Sequence, residues 1–174
     1  MRWYYDTEFN DDGRTIDLIS IALVSEDGRE YYAVSTEFDA DRCNDWVKKN
    51  VFTKLPPRSG GEWKSRAQIA RDIKTLLVVP DRRHGPHNGQ ALPVQLWAYF
   101  AAYDHVALAQ LWGAMVDLPT GMPMHTMDIK QEMVRLKLRR EHLPVQQGSE
   151  HSALDDARWV KQAHEWLLRY EASL

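Results

Sequence analysis

The apolar positions of this chain fall first into short strand-like runs and later into stripes at helical spacing. Trp3 to Phe9 is an aromatic-rich run that stops at Asn10, Asp11, Asp12 and Gly13, a turn cluster, and so predicts a first strand. Ile16 to Val24 is rich in Ile, Leu and Val, and Glu30 to Ser35 answers it across Glu26-Asp27-Gly28, whose Asp-Gly pair predicts a hairpin. Three consecutive antiparallel strands follow from this spacing. Asp39 is placed to cap a helix running to about Lys49. Ser65 with Gln68 forms a capping-box start for a second helix with Ile69, Ile73, Leu76 and Leu77 on one face. Pro80 to Pro93 lacks periodicity and predicts a surface loop. Val94 to Phe100 is continuously apolar enough for a buried strand, and it runs directly into a helix opened by Asp104 and ended by Gly113. Further helices are predicted from Met127 to Leu138 and from Ser152 onward, the last with an inward stripe of Trp159, Ala163, Trp166, Leu167 and Tyr170. The pattern is α/β: a meander, then helices alternating with further strand.

Composition narrows the possibilities. The 174 residues, 44% of them hydrophobic, suit one domain, 1–174, with a real core. Roughly eighteen consecutive apolar residues would be needed to span a membrane, and no such run or signal-type leader is present, so a cytoplasmic protein is expected. One cysteine, Cys43, forms no internal disulfide and builds no thiolate cluster, leaving oxygen or imidazole as the available metal ligands. A net charge of −3 argues against wrapping a long nucleic acid, though not against gripping a chain end. The basic runs at Arg82, Arg83, His84 and at Lys137, Arg139, Arg140 read as solvated faces.

Asp6 and Glu8 lie two apart on the first strand and therefore share a face, with Thr7 on the other. Adjacent carboxylates on a largely buried strand repel unless a cation lies between them. Asp104 stands where strand gives way to helix, a place that suits a ligand as well as a helix cap. At the last helix, His151-Ser152-Ala153-Leu154-Asp155-Asp156 sets a histidine five residues before an aspartate, Asp156 being preferred to Asp155 as the functional carboxylate. Hard oxygen ligands suit Mg²⁺ or Mn²⁺, and imidazole is the side chain suited to moving a proton near neutral pH. Phe9 beside Glu8 and Tyr103 beside Asp104 are candidates, with Thr7, for contact with a single-stranded substrate.

The Asp-Thr-Glu string on the first strand, Tyr-Asp-His at a helix start and His-Ser-Ala-Leu-Asp-Asp-Ala on the last helix resemble the three motifs of the DEDDh exonuclease family. That resemblance implies a ribonuclease H-like mixed sheet flanked by helices. It also implies two Mg²⁺ ions, with Mn²⁺ as the alternative, on Asp6, Glu8, Asp104 and Asp156, and His151 as the general base. The Tyr-Asp-Thr-Glu-Phe opening and the Trp-Ala-Tyr-Phe-Ala-Ala-Tyr-Asp-His stretch are similar to the ribonuclease AS group of that family. Those enzymes are adenosine-preferring 3′-5′ exoribonucleases that act as homodimers on polyadenylated RNA. The implied partner is therefore the 3′ end of single-stranded, A-rich RNA, and the implied product is AMP. One departure is Phe100, where many family members carry Asn four residues before the second-motif Asp. Gln146 to Ser149 is expected to form a loop that delivers His151 only when substrate binds. The rival readings are a DNA 3′-5′ exonuclease of the same family and a catalytically silent RNA-binding or dimerisation module.

Overall fold

The computed structural model describes residues 1–77 and 94–174; the Pro80–Pro93 loop and the Arg82–His84 run lie outside the described residues. Three long strands form the expected meander: β1 (Arg2–Asp11), β2 (Ile16–Ser25) and β3 (Glu30–Ser35). The short strands β4 (Trp63–Lys64), β5 (Gln95–Ala98) and β6 (Met127–Asp128) complete a six-stranded sheet in the order β4-β3-β2-β1-β5-β6. The β1–β2 and β2–β3 pairs are antiparallel, while β5 joins β1, β6 joins β5 and β4 joins β3 in parallel. This mixed sheet is the architecture the sequence pointed to. No described helix is long and apolar enough to cross a membrane.

The helices α1 (Asp45–Asn50), α2 (Arg66–Leu77), α3 (Ala102–Ala109), α4 (Ile129–Arg135) and α5 (Ala153–Glu171) cover the sheet. Alternation along β1 divides the core. Trp3 and Tyr5 pack with Ile69 and Ile73 of α2 and Leu108 of α3, whereas Tyr4 packs with Ile129 and Met133 of α4 and Trp159 and Val160 of α5. The pairing of β1 with β2 slips between Glu8 and Phe9, so Ser20 and Leu18 oppose neighbouring residues. Beyond that bulge Leu18 joins Ile21 and Leu23 in the same cluster, which strict alternation would forbid.

Three boundaries differ from those read in the sequence. Helix α1 is capped by Asn44, which accepts from the Val47 amide, while Asp39 bonds the amides of Asp41 and Arg42 in a local turn. Met127 and Asp128 form strand β6 before α4 begins, with Asp128 as its N-cap. Helix α3 starts at Ala102, two residues before Asp104, and tightens into a 3₁₀ turn that stops at Gly113, where φ is 100°. The capping box at α2 forms as read, with Ser65 and Gln68 exchanging hydrogen bonds.

Helix α5 approaches the sheet closely because small side chains meet there: Ala153 and Ala157 pack with Ala22 and Val24 of β2. Both alanines are fully or almost fully buried, and they flank Asp156. Ala157→Leu should therefore force the first turn of α5 off the sheet, at a cost of about 1–3 kcal/mol. Urea denaturation measures this; an unchanged midpoint would show that the contact is not close-packed.

Candidate active site

Asp6 and Glu8 project from the face of β1 that α5 covers, and Asp156 meets them from the first turn of α5. One oxygen from each lies within 4.8 Å of the other two. Asp104 reaches the same cavity from α3, on the opposite side of β1. Its Oδ1 accepts from the Thr7 amide at 2.8 Å and from the Thr7 hydroxyl at 2.7 Å. The local reason is visible in the sheet: β5 pairs with β1 from Arg2–Gln95 to Tyr4–Trp97, no further, and ends at Ala98. The carboxylate of Asp104 thus takes over an amide on the side of β1 that β5 has left. The Thr7 hydroxyl spends its proton on this bond, so what it offers a substrate is its oxygen lone pairs.

These carboxylates are held far from their ordinary chemistry. Burial, then Asp104, Glu8 and Asp156, push Asp6 well above the usual carboxylate range. Glu8 is pushed up to about 8 by burial, then by Asp156 and Asp104. Asp104 rises to about 6 through burial, against the two bonds from Thr7. Burial also raises Asp156, against hydrogen bonds from the Gln146 side chain and the His151 backbone. Desolvation raises all four, and repulsion from the neighbouring carboxylates adds to it at Asp6 and Glu8. A donor set made only of carboxylate oxygens fits a hard divalent cation, which would relieve both.

His151 is already at this site. It takes a left-handed backbone (φ 62°), its ring stands edge-on to Trp46 at 4.8 Å, and it lines the cavity with Asp6 and Asp156. This placement weakens the expectation that the preceding loop delivers it only on substrate binding. Asp155 accepts from the Ser149 amide and pairs with Arg158, which also makes two bonds to Glu30 on β3. Gly148 has φ of 155°, and a Cβ there would lie 2.8 Å from Asp155 Cγ. Asp155 is thus a loop anchor, distinct from its neighbour Asp156.

The cavity has two lobes that meet at Asp6, Tyr99, His151 and Asp156, with volumes of about 290 and 230 Å³. Phe9 and Tyr103 lie in the larger lobe, stacked at 5.9 Å with planes 10° apart. The aromatics of Trp46 and Phe100 share that lobe, and Arg140 lines the other while lying 3.9 Å over the Trp159 ring. Sequence reading left Trp46, Tyr99 and Arg140 out of the site; Trp46 belongs to a different helix, remote in sequence from every motif.

The raised carboxylates carry a definite sign. The folded chain keeps protons on them to higher pH than the unfolded chain does, so the metal-free fold loses stability as pH rises from about 4, where the unfolded carboxylates ionise, to about 8, where Glu8 ionises in the folded chain. Glu8→Gln removes one such group. With chelator present it should raise the unfolding free energy at alkaline pH and leave it nearly unchanged near pH 4, as read by urea titration. An equal effect at both values would contradict the assignment.

The family model for the 3′-5′ exoribonuclease Rv2179c-like domain matches residues 1–168. Two 3′-5′ exoribonucleases of Mycobacterium tuberculosis, MT2234.1 of strain CDC 1551 and Rv2179c of strain H37Rv, are each 48% identical to this chain over 158 residues, covering 91% of it and 88% of their own length. Among solved structures, the zinc-bound Escherichia coli ExoI complex with single-stranded DNA aligns with a TM-score of 0.63 at 11% identity. The alignment covers 99% of this chain and 42% of that one, so the chain spans less than half of that neighbour. A 3′-exonuclease solved with histone mRNA stem-loop aligns with a TM-score of 0.55 at 10% identity over 97% of this chain and 81% of its own. At these identities the structural likeness speaks to the fold, which is ribonuclease H-like. By sequence match over nearly its full length, the chain belongs to the Rv2179c-like 3′-5′ exoribonuclease domain family.

Proposed function

We propose that this protein shortens single-stranded, A-rich RNA from the 3′ end, releasing AMP, through one catalytic domain that acts in the cytoplasm as a homodimer. The observation that carries the reading is the gathering of Asp6, Glu8 and Asp156, with Asp104 and His151, around one cavity. The nucleotide product, the dimer and the A-rich substrate rest on the motif resemblance.

Asp6, Glu8, Asp104 and Asp156 would hold two Mg²⁺ or Mn²⁺ ions. Such ions, when bound, neutralise charge on attacking and leaving oxygens and lower the pKa of water. The chain's own residues supply the rest. His151 accepts the proton of the attacking water as its oxygen bonds to phosphorus. The phosphorus–O3′ bond breaks and the departing O3′ takes a proton from solvent, leaving a shortened RNA with a 3′-hydroxyl and a nucleoside 5′-monophosphate. Trp46 against the His151 ring restricts how far the imidazole can turn. Gln146 and the His151 amide hold Asp156, so the general base and one ligand are fixed by the same few residues. Phe9 and Tyr103 provide flat apolar surface beside the carboxylates, suited to bases with no fixed sequence.

Matched RNA oligomers ending in A, C or U, and the corresponding DNA, test this in Mg²⁺. AMP release from A-tailed RNA is expected, with Asp6→Ala abolishing it and His151→Ala lowering kcat by roughly 10²–10⁴-fold. Equal DNA digestion would make the protein a general exonuclease, and RNA binding without cleavage would make it a silent binding module. Because protons and cations compete for the same carboxylates, the rise in Tm on adding Mn²⁺ should grow from about pH 5.5 to about pH 8.5. A pH-independent rise would contradict metal binding at these residues.

A further inference from the structure

Phe100 combines features that packing alone does not explain. It is a bulky residue with φ of 58°, in the left-handed region that side chains other than Gly, Asn and Asp rarely occupy. The strain is not repaid by burial, since Phe100 is 58% exposed. Its backbone is nonetheless held by the two oxygens of one carboxylate. The Asp128 carboxylate accepts from the Phe100 amide at 3.1 Å and from the Ala101 amide at 3.2 Å, while also capping α4 through the Lys130 amide at 2.7 Å. A strained backbone held in place with no gain in burial points to use of the side chain it presents.

That side chain lines the lobe containing Asp6, Glu8, Asp104 and His151. Its ring lies 4.5 Å from that of Tyr99, and Lys130 Nζ is 5.9 Å from its centroid. Trp46 and Tyr103, also more than half exposed, line the same lobe. Exposed rings next to an acidic site offer a nucleobase its π-face while the carboxylates take the adjoining phosphodiester. The sequence offered no such role for Phe100, which stood out only as a departure from the family motif. Neither its φ nor its clamp by Asp128 can be read from residue order.

We propose that Phe100 is a stacking platform for a base within the last two nucleotides of the RNA, displayed by the left-handed turn that Asp128 holds. This inference rests on the exonuclease reading for its substrate, and its test separates the two. Phe100→Gly is the informative variant because glycine accepts the same backbone angle without strain. A merely structural Phe100 predicts equal or higher Tm and unchanged RNA handling. The stacking role predicts equal or higher Tm together with weaker binding.

Binding is measured by anisotropy of a 5′-fluorescein A-tailed hexamer in Ca²⁺, beside KM and kcat for its hydrolysis in Mg²⁺. Phe100→Gly should weaken Kd by roughly 5- to 100-fold, the range for loss of one base–aromatic stack. KM should rise more than kcat falls, and Phe100→Trp should restore both. An abasic ribose placed at the terminal or the preceding position should remove the difference between wild type and Phe100→Gly at the one position that Phe100 serves. Unchanged Kd and KM in Phe100→Gly would overturn the inference while hydrolysis by wild type upheld the exonuclease. Loss of the dimer by size exclusion with Kd unchanged would overturn it in favour of a subunit contact. A wild type that binds but does not cleave would overturn the exonuclease reading and leave Kd to decide on Phe100; one that neither binds nor cleaves would overturn both.

Discussion

The rest of this structure depends on keeping several carboxylates together in a place that disfavours their charge. Two unit charges of like sign about 4 Å apart repel by roughly 4 kcal/mol at an effective dielectric near 20. Asp6, Glu8 and Asp156 present oxygens within about that separation, and Asp104 adds its field from the far side of β1. A chain optimised for stability alone would replace at least one with an amide. Retaining them makes sense where a cation completes the site, and proteins commonly carry destabilising groups where function requires them.

The scaffold directs each charge by a different device. Period-two alternation puts Asp6 and Glu8 on one face of β1, and the bulge beside Glu8 shifts the facing strand at that point. Early departure of β5 frees the Thr7 amide, which, with the Thr7 hydroxyl, fixes Asp104. Alanines at 153 and 157 let α5 close on the sheet, bringing Asp156 within reach. Asp155, Arg158 and Glu30 then tie the 146–149 loop to β3, so that His151 is in place at the cavity. Backbone strain accumulates where the site is made: two of the non-glycine residues with positive φ, Phe100 and His151, line the larger lobe.

The elements legible in the sequence were those with enough length to show a period. Strands β1 and β2 and the stripe of α5 emerged because ten or more residues repeat their pattern, β3 followed from the Asp-Gly turn that ties it to β2, and Trp159, Ala163 and Leu167 are indeed buried. Two-residue strands such as β4 and β6 have no period to read and exist only through their neighbours. Asp39 and Asn44 are equally good caps by residue type, and tertiary packing of Val47 against Ile19 decides between them. In the site, Asp6, Glu8, Asp104, His151 and Asp156 were legible because their strings are distinctive, and the fold brings them to one cavity. Trp46 was not, because it arrives through a helix that packs through Val47 in a cluster with Ile19 of β2 and carries no motif of its own. The role of Thr7 as the donor to Asp104 was likewise hidden, since it depends on where β5 stops.

The proposed function requires first of all that the acidic cluster bind cations. Counting bound Mn²⁺ by electron paramagnetic resonance at about pH 8, in wild type, Asp6→Asn and Glu8→Gln, tests it most directly. Two ions per wild-type chain are expected, with fewer, more weakly bound ions in each variant. No bound Mn²⁺ in wild type, or binding that both substitutions leave intact, would contradict it.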